Sequence, residues 1–170
     1  IHVPFCARRC SYCDFAVEAM RDPPVAAWLD AVVREMELVA AEQGWELPLT
    51  LDTLYIGGGT PSLLGPGVMA ALRERLAPYA ELAETVEWTC EANPESFTPE
   101  LARDWFDAGV NRVSLGAQTF DPGALRWMGR LHGPDGPGRA LQAARDAGFA
   151  NVSIDLIFGL PDRLGRDWEA

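Results

Sequence analysis

The sequence predicts an α/β fold, in which a parallel sheet with helical crossovers forms an incomplete barrel. Three observations carry this expectation. Short apolar segments alternate with stretches of helical periodicity. Two helices end on a glycine and run at once into a strand, in Asp107-Ala108-Gly109-Val110 and again 39 residues later in Asp146-Ala147-Gly148-Phe149. The residues of unusual chemistry fall repeatedly where strands end, which is where parallel sheets and barrels place their sites.

The elements follow in order. Residues 1–4 read as the end of a strand. Residues 24–43 form a helix with Trp28, Leu29, Val32, Val33, Met36 and Val39 on one stripe, and Asp22-Pro23-Pro24 marks its start. Residues 51–56 are a strand. Residues 66–77 are a helix that turns Met69, Leu72 and Leu76 inward. Residues 86–90 are a strand. Thr98 caps a helix with Pro99 in its first turn, and Gly109 ends it. Residues 112–116 are a strand. Asp121-Pro122 opens a short helix, residues 137–147 form the next, and residues 152–158 are a strand of apolar character. An early helix turn is expected at 166–170. About five βα units imply right-handed crossovers and a parallel sheet. A complete barrel takes about 250 residues, so 170 residues give part of one, with no linker or second domain between.

Composition sets the class. The chain is 48% hydrophobic and 23% charged, as a folded domain is, and lacks an apolar run long enough to span a membrane. Its net charge of −11 argues against a general nucleic-acid binder, which needs a basic face for phosphates. All 14 basic residues are Arg, so Schiff-base and phosphate-loop lysine chemistries are excluded from this segment. Two histidines, His2 and His132, are too few for a multi-histidine metal centre.

The cysteines are the sharpest signal. Cys6, Cys10 and Cys13 stand in a C-x3-C-x2-C loop, and Cys90 stands alone. A disulfide framework fits poorly, because close spacing leaves a thiol unpaired. Structural zinc takes four ligands in separated pairs. Iron–sulfur clusters are held by thiolates from one tight loop, and three thiolates on a four-iron cluster leave one iron open to a substrate. Cys90 lies in a strand pattern and reads as a core residue.

Other candidates lie at strand ends. Gly57-Gly58-Gly59-Thr60-Pro61 is either a tight turn or a loop whose bare backbone approaches a ligand and offers its N–H and C=O groups. Glu91 suits a hydroxyl or ammonium group. Gln118 also reads as a satisfied loop amide, and Arg130, taken alone, reads sooner as a surface residue than as a ligand contact. Asp155 interrupts an apolar strand, where a buried carboxylate is costly unless partnered.

The cysteine loop followed by the triple glycine resembles the radical S-adenosylmethionine (SAM) enzymes. Four further motifs look like one branch, the coproporphyrinogen dehydrogenases and heme chaperones. They are His2-Val3-Pro4-Phe5-Cys6, Glu91-Ala92-Asn93-Pro94, Gly116-Ala117-Gln118-Thr119-Phe120 and Asp155-Leu156-Ile157-Phe158-Gly159-Leu160-Pro161. The resemblance implies a partial (β/α)6 TIM-like barrel, of which residues 1–170 are one core domain lacking N-terminal residues and a C-terminal part. The tyrosine that precedes the His-x-Pro-Phe-Cys motif in this branch would fall just before Ile1. Cys6, Cys10 and Cys13 would ligate a [4Fe–4S] cluster, and SAM would chelate the open iron. In active members the reduced cluster donates an electron to the sulfonium, and homolysis gives a 5′-deoxyadenosyl radical. Gly58, Gly59 and Thr60 would line the methionine end of SAM, and Glu91, Gln118, Arg130 and Asp155 match SAM-contacting positions.

One departure selects within the branch. The dehydrogenases carry a fourth cysteine two residues after the third, and here Cys13-Asp14-Phe15 places Phe15 there, as in the heme-chaperone type. The implied function is binding of [4Fe–4S], SAM and heme, with delivery of heme to a hemoprotein in the cytoplasm and electrons from a flavodoxin- or ferredoxin-like reductant. His132 reads as an exposed loop residue or a heme contact. Two alternatives remain open. One is oxygen-independent coproporphyrinogen III oxidation, in which a propionate β-hydrogen is removed and CO2 lost. The other is a closed metal site with Cys90 as fourth ligand.

Overall fold

The computed structural model describes residues 1–161 and Leu164, and the helix turn expected at 166–170 lies outside the described residues. In chain order the elements are β1 (His2–Val3), β2 (Phe5–Cys6), β3 (Glu18–Ala19), α1 (Val25–Gln43), β4 (Leu49–Gly58), a 3-10 turn (Pro61–Leu63), α2 (Val68–Leu76), β5 (Ala80–Ala92), α3 (Pro99–Ala108), β6 (Arg112–Gln118), α4 (Pro122–Met128), α5 (Gly136–Ala147) and β7 (Asn151–Leu156). Five strands form a sheet in the order β1-β4-β5-β6-β7, and every pair in it is parallel. The expected alternation of strands and crossover helices is present. The two-stranded β2-β3 pair is an addition that the short cysteine-rich stretch did not announce.

The helix signals act where the sequence places them. Thr98 accepts from Leu101 N at 3.2 Å, and Asp121 accepts from Ala124 N at 2.6 Å, each satisfying a first-turn amide. Gly109 and Gly148 take φ near +106° and +107°, a left-handed cap that a side chain resists. Helix α1 starts at Val25 without a side-chain cap. Its stripe is only half-buried beyond Trp28 and Leu29, because α1 packs at the edge of the sheet beside β1.

Strands β4, β5 and β6 are longer than their apolar runs. Leu49 and Leu51 pair with Ala80 and Leu82, so hydrogen bonding extends over charged residues that break the apolar pattern. The core lies between these strands and the helices, with Val3, Ile56, Trp88 and Leu115 against Met69 and Trp105. Met69, Leu72 and Leu76 point inward as expected. Strand β7 differs from expectation. It is the sheet edge, Asp155 is exposed, and Ile154 and Leu156 are uncovered on it.

The register matters for the site. His2 and Val3 pair with Gly57 and Gly58, Ile56 with Cys90, and Glu91 with Ser114, which in turn pairs with Ser153. The carboxyl ends of five strands are thereby level.

Candidate functional site

The triple glycine is shaped by the chain that crosses it. A Cβ on Gly59 would lie 2.5 Å from the Phe5 carbonyl oxygen and 2.7 Å from that of Val3. One on Gly57 would meet the Glu91 carboxylate at 2.7–2.8 Å. The amides of this turn are engaged within the protein. Gly57 N donates to Ile1 O, Gly59 N to Val3 O and Thr60 N to Phe5 O, at 3.1, 2.7 and 2.7 Å. Gly58 N donates to Glu91 Oε2 at 2.9 Å. The expectation that these amides would be offered to a ligand is therefore corrected. The glycines let β4 and the cysteine loop touch.

Glu91 is the last polar residue of β5 and holds that turn. Tyr55 Oη donates to its Oε1 at 2.6 Å. Burial, then the adjoining Glu91 carboxylate, push the Tyr55 hydroxyl well above its ordinary pKa. Tyr55 was not foreseen, although its position on β4 opposite Thr89 sets it beside Glu91.

Two of the three loop cysteines receive hydrogen bonds. Thr60 Oγ1 donates to Cys6 Sγ at 3.4 Å, and Arg130 Nη1 approaches Cys10 Sγ at 3.9 Å. Asn93 joins these donors. Its Nδ2 donates to Thr60 Oγ1 at 3.1 Å, and its Oδ1 accepts from Arg130 Nη2 at 2.6 Å. Arg130 Nη2 also donates to Gly116 O at 2.6 Å, and Arg130 Nε is buried with no partner. Arg130 is thus an anchored, part-buried residue, not a surface one. Burial raises the Cys6 thiol pKa, the Thr60 hydrogen bond opposes this, and the neighbouring Cys13 and Cys10 add to the rise. Tyr12, between the second and third cysteines, is pushed up to about 12 by burial.

Asp155 accepts from Ser114 Oγ at 3.0 and 3.1 Å, and Ser153 Oγ and Ser114 Oγ lie 2.9 Å apart. Asp155 is exposed here, and the Ser114 hydroxyl partners its carboxylate. Gln118 has φ +66°, a conformation uncommon outside glycine, and its carbonyl accepts from Ile157 N at 2.9 Å. His132 is corrected outright. It is 6% exposed, with Nε2 3.2 Å from Ala117 O and Nδ1 3.2 Å from Glu95 Oε2, so it serves the interior and faces no open surface. Cys90 is buried, 3.6 Å from Met69 Sδ, and burial drives its thiol pKa up. It is a core residue, as its strand pattern indicated.

One cavity of about 300 Å³ collects these positions. Cys6, Cys10, Cys13, Gly58, Gly59, Thr60, Glu91, Gln118, Arg130 and Asp155 all line it, which brings the cluster and SAM candidates together, while His132 is not in its lining. Asn93, Ser114, Tyr12 and Phe15 line it too. Asn93 stands in the Glu91-Ala92-Asn93-Pro94 motif at the end of β5, and its role becomes visible only in the structure. Strand period places Asn93 on the same side as Glu91, two residues earlier. Among the described residues no three His, Cys, Asp or Glu side chains converge on a point that would hold a single metal ion. A four-iron cluster asks for something else, since each thiolate binds its own iron. Three free, half-buried thiols around one cavity, with an arginine beside them, suit that group. Cys90 lies outside the cavity lining and fits no such set.

A parallel βα sheet with a three-cysteine loop at its carboxyl end, facing a glycine turn, defines a SAM-cluster domain. The family model of the radical SAM superfamily matches residues 1–170, and the chain belongs to that superfamily. It is 43% identical over 173 residues to the heme chaperone HemW of Mycobacterium tuberculosis (strain ATCC 25618 / H37Rv), covering 98% of this chain and 43% of that protein. It is 38% identical over 160 residues to heme chaperone HemW of Lactococcus lactis subsp. lactis (strain IL1403), covering 94% and 40%. Among solved structures, the coproporphyrinogen III oxidase HemN from Escherichia coli, a radical SAM enzyme, superposes with TM-score 0.82 at 28% identity, over 95% of this chain and 37% of that one. The chain spans about two fifths of the length of these relatives. Membership in the superfamily implies a [4Fe–4S] cluster and SAM. No helix among the described residues is long and apolar enough to cross a membrane.

Proposed function

We propose that this chain is the cluster- and SAM-binding core of a heme chaperone, which holds heme and passes it to a hemoprotein in the cytoplasm. Cys6, Cys10 and Cys13 would hold the cluster, which supplies an open iron and one electron to bound SAM. Gly58, Gly59 and Thr60 would face the methionine end of SAM, with Gln118 and Asp155 farther along the cavity. Glu91 keeps the glycine turn in place through Tyr55 and Gly58. Thr60, Asn93 and Arg130 orient donors at Cys6 and Cys10.

The observation that carries the chaperone reading is Phe15. It occupies the position of the dehydrogenases' fourth cysteine, is 60% exposed and lines the cavity, offering a flat apolar face in place of a thiol. A flat apolar face of this kind suits stacking with a porphyrin ring such as heme. The likeness to the HemN oxidase supports a second reading, coproporphyrinogen III oxidation by the same core.

The test uses the full-length parent protein, reconstituted anaerobically with iron and sulfide. Dithionite, SAM and coproporphyrinogen III are added, and protoporphyrinogen IX and 5′-deoxyadenosine are quantified. The chaperone reading expects no porphyrin product from an intact cluster and tight retention of heme in a separate titration. Stoichiometric formation of both products would establish the oxidase. Failure to retain heme would remove the chaperone role.

A further inference from the structure

We propose that Asn93 is a positioning residue that aims hydrogen bonds at two of the cluster's three cysteine sulfurs and so sets the cluster's reduction potential. The proposal rests on the cluster reading above and not on the heme reading. It follows from how one side-chain amide is held. The Asn93 main chain is fixed first. Its N–H donates to Ser62 Oγ at 3.0 Å, and its carbonyl accepts from Ser96 N and Phe97 N, each at 3.1 Å. Its side chain then has one orientation that satisfies both neighbours, because Arg130 can only donate to it. Oδ1 must face Arg130, which leaves Nδ2 to face Thr60.

Each neighbour is forced in turn. A hydroxyl has one hydrogen to give. Thr60 Oγ1 accepts from Asn93, so its hydrogen is free for Cys6 Sγ, 3.4 Å away. Arg130 Nη2 is taken by Asn93 Oδ1 and Gly116 O, both at 2.6 Å, and this fixes the guanidinium plane with Nη1 toward Cys10 Sγ. Gly116 permits the arrangement, since a Cβ there would come within 3.1 Å of Asn93 Oδ1. The amide therefore links Cys6 to Cys10 through two donors from separate elements, Thr60 after β4 and Arg130 after α4. Hydrogen bonds to cluster sulfurs stabilise the more electron-rich, reduced cluster and raise its potential. Cys13 receives no side-chain hydrogen bond among those of the described residues, so the three sulfurs are not equivalent.

Asn93→Asp separates the two arms. A carboxylate still accepts from Arg130 but cannot donate to Thr60, and it draws the Thr60 hydrogen away from Cys6. Thr60→Val removes the same hydrogen directly, and Thr60→Ser restores it. The experiment is an EPR-monitored redox titration of the reconstituted full-length protein without SAM. Asn93→Asp and Thr60→Val are each expected to shift the midpoint to more negative potential, with Thr60→Ser close to wild type. Because Asn93 acts on Cys6 through Thr60, the double variant should shift no further than the larger single shift. Additive shifts would mean that the new charge acts directly, and would overturn the proposal, as would an unchanged potential in Asn93→Asp. A wild-type protein that assembles no [4Fe–4S] cluster would overturn the cluster reading and this proposal together. Neither result depends on whether heme is bound.

Discussion

Gly59→Ala is the substitution whose consequence can be worked out most fully. The new Cβ would stand 2.5 Å from Phe5 O and 2.7 Å from Val3 O. Both obstacles are backbone atoms, so no side chain can rotate away. Reaching even 3.0 Å, below which real Cβ contacts are essentially not seen, requires a shift of 0.5 Å between β4 and the cysteine loop. The two hydrogen bonds that join them, Gly59 N to Val3 O and Thr60 N to Phe5 O, are both 2.7 Å and would stretch together. Losing two such bonds costs about 2 kcal/mol net, rising toward about 6 kcal/mol if the groups stay buried and unpaired. That is a large share of a typical stability of about 5–15 kcal/mol. Cys6 follows Phe5 directly and would move with it, so cluster assembly should fail as well. The assay is urea unfolding of the full-length apoprotein, with iron and sulfide content after reconstitution. Gly138→Ala is the control: it lies in helix α5 with open space around it, and should stabilise by about 0.5–1 kcal/mol. An unfolding free energy for Gly59→Ala within about 0.5 kcal/mol of wild type, with full iron content, would refute the reasoning, since that is the scatter of neutral surface changes.

Three other outcomes follow from the site. Glu91→Gln leaves one acceptor oxygen for two donors, Tyr55 Oη and Gly58 N, and should destabilise by about 1–3 kcal/mol in urea unfolding. Cys90→Ala should keep full iron content and lose only about 1 kcal/mol, the cost of one small buried group, whereas loss of the cluster would revive a four-cysteine site. Burial pushes the Glu95 carboxyl upward, but the hydrogen bond from His132, the Arg130 charge and Glu95's own backbone amide outweigh it and hold the group below its ordinary pKa. A depressed carboxyl contributes stability above its unfolded pKa of about 4.3 and loses it as pH falls through the folded value. His132→Gln should therefore move acid unfolding, followed by circular dichroism, to higher pH; an unmoved midpoint would show that the contact does not stabilise the ionised carboxylate.

The sequence alone determined the order of the main-sheet strands and the helices, four of their caps and the loop that carries three closely spaced cysteines. Those features are local. Thr98, Asp121, Gly109 and Gly148 act within one turn of where they stand, and the cysteine spacing is contained in eight residues. Tertiary structure decided what the polar residues do. Glu91 meets Tyr55 36 residues away, Asp155 meets Ser114 across 41, and Arg130 reaches Cys10 across 120. Such pairs depend on strand register and on which strand is the edge, and neither leaves a periodic trace in the chain. For that reason Asp155 read as an unpartnered carboxylate and His132 as exposed, whereas Ser114 partners the first and Ala117 and Glu95 enclose the second. The role of Asn93 is hidden for the same cause: the sequence places it in the Glu91-Ala92-Asn93-Pro94 motif, and only the packing of Thr60 and Arg130 against it makes its amide the joint between two cysteines.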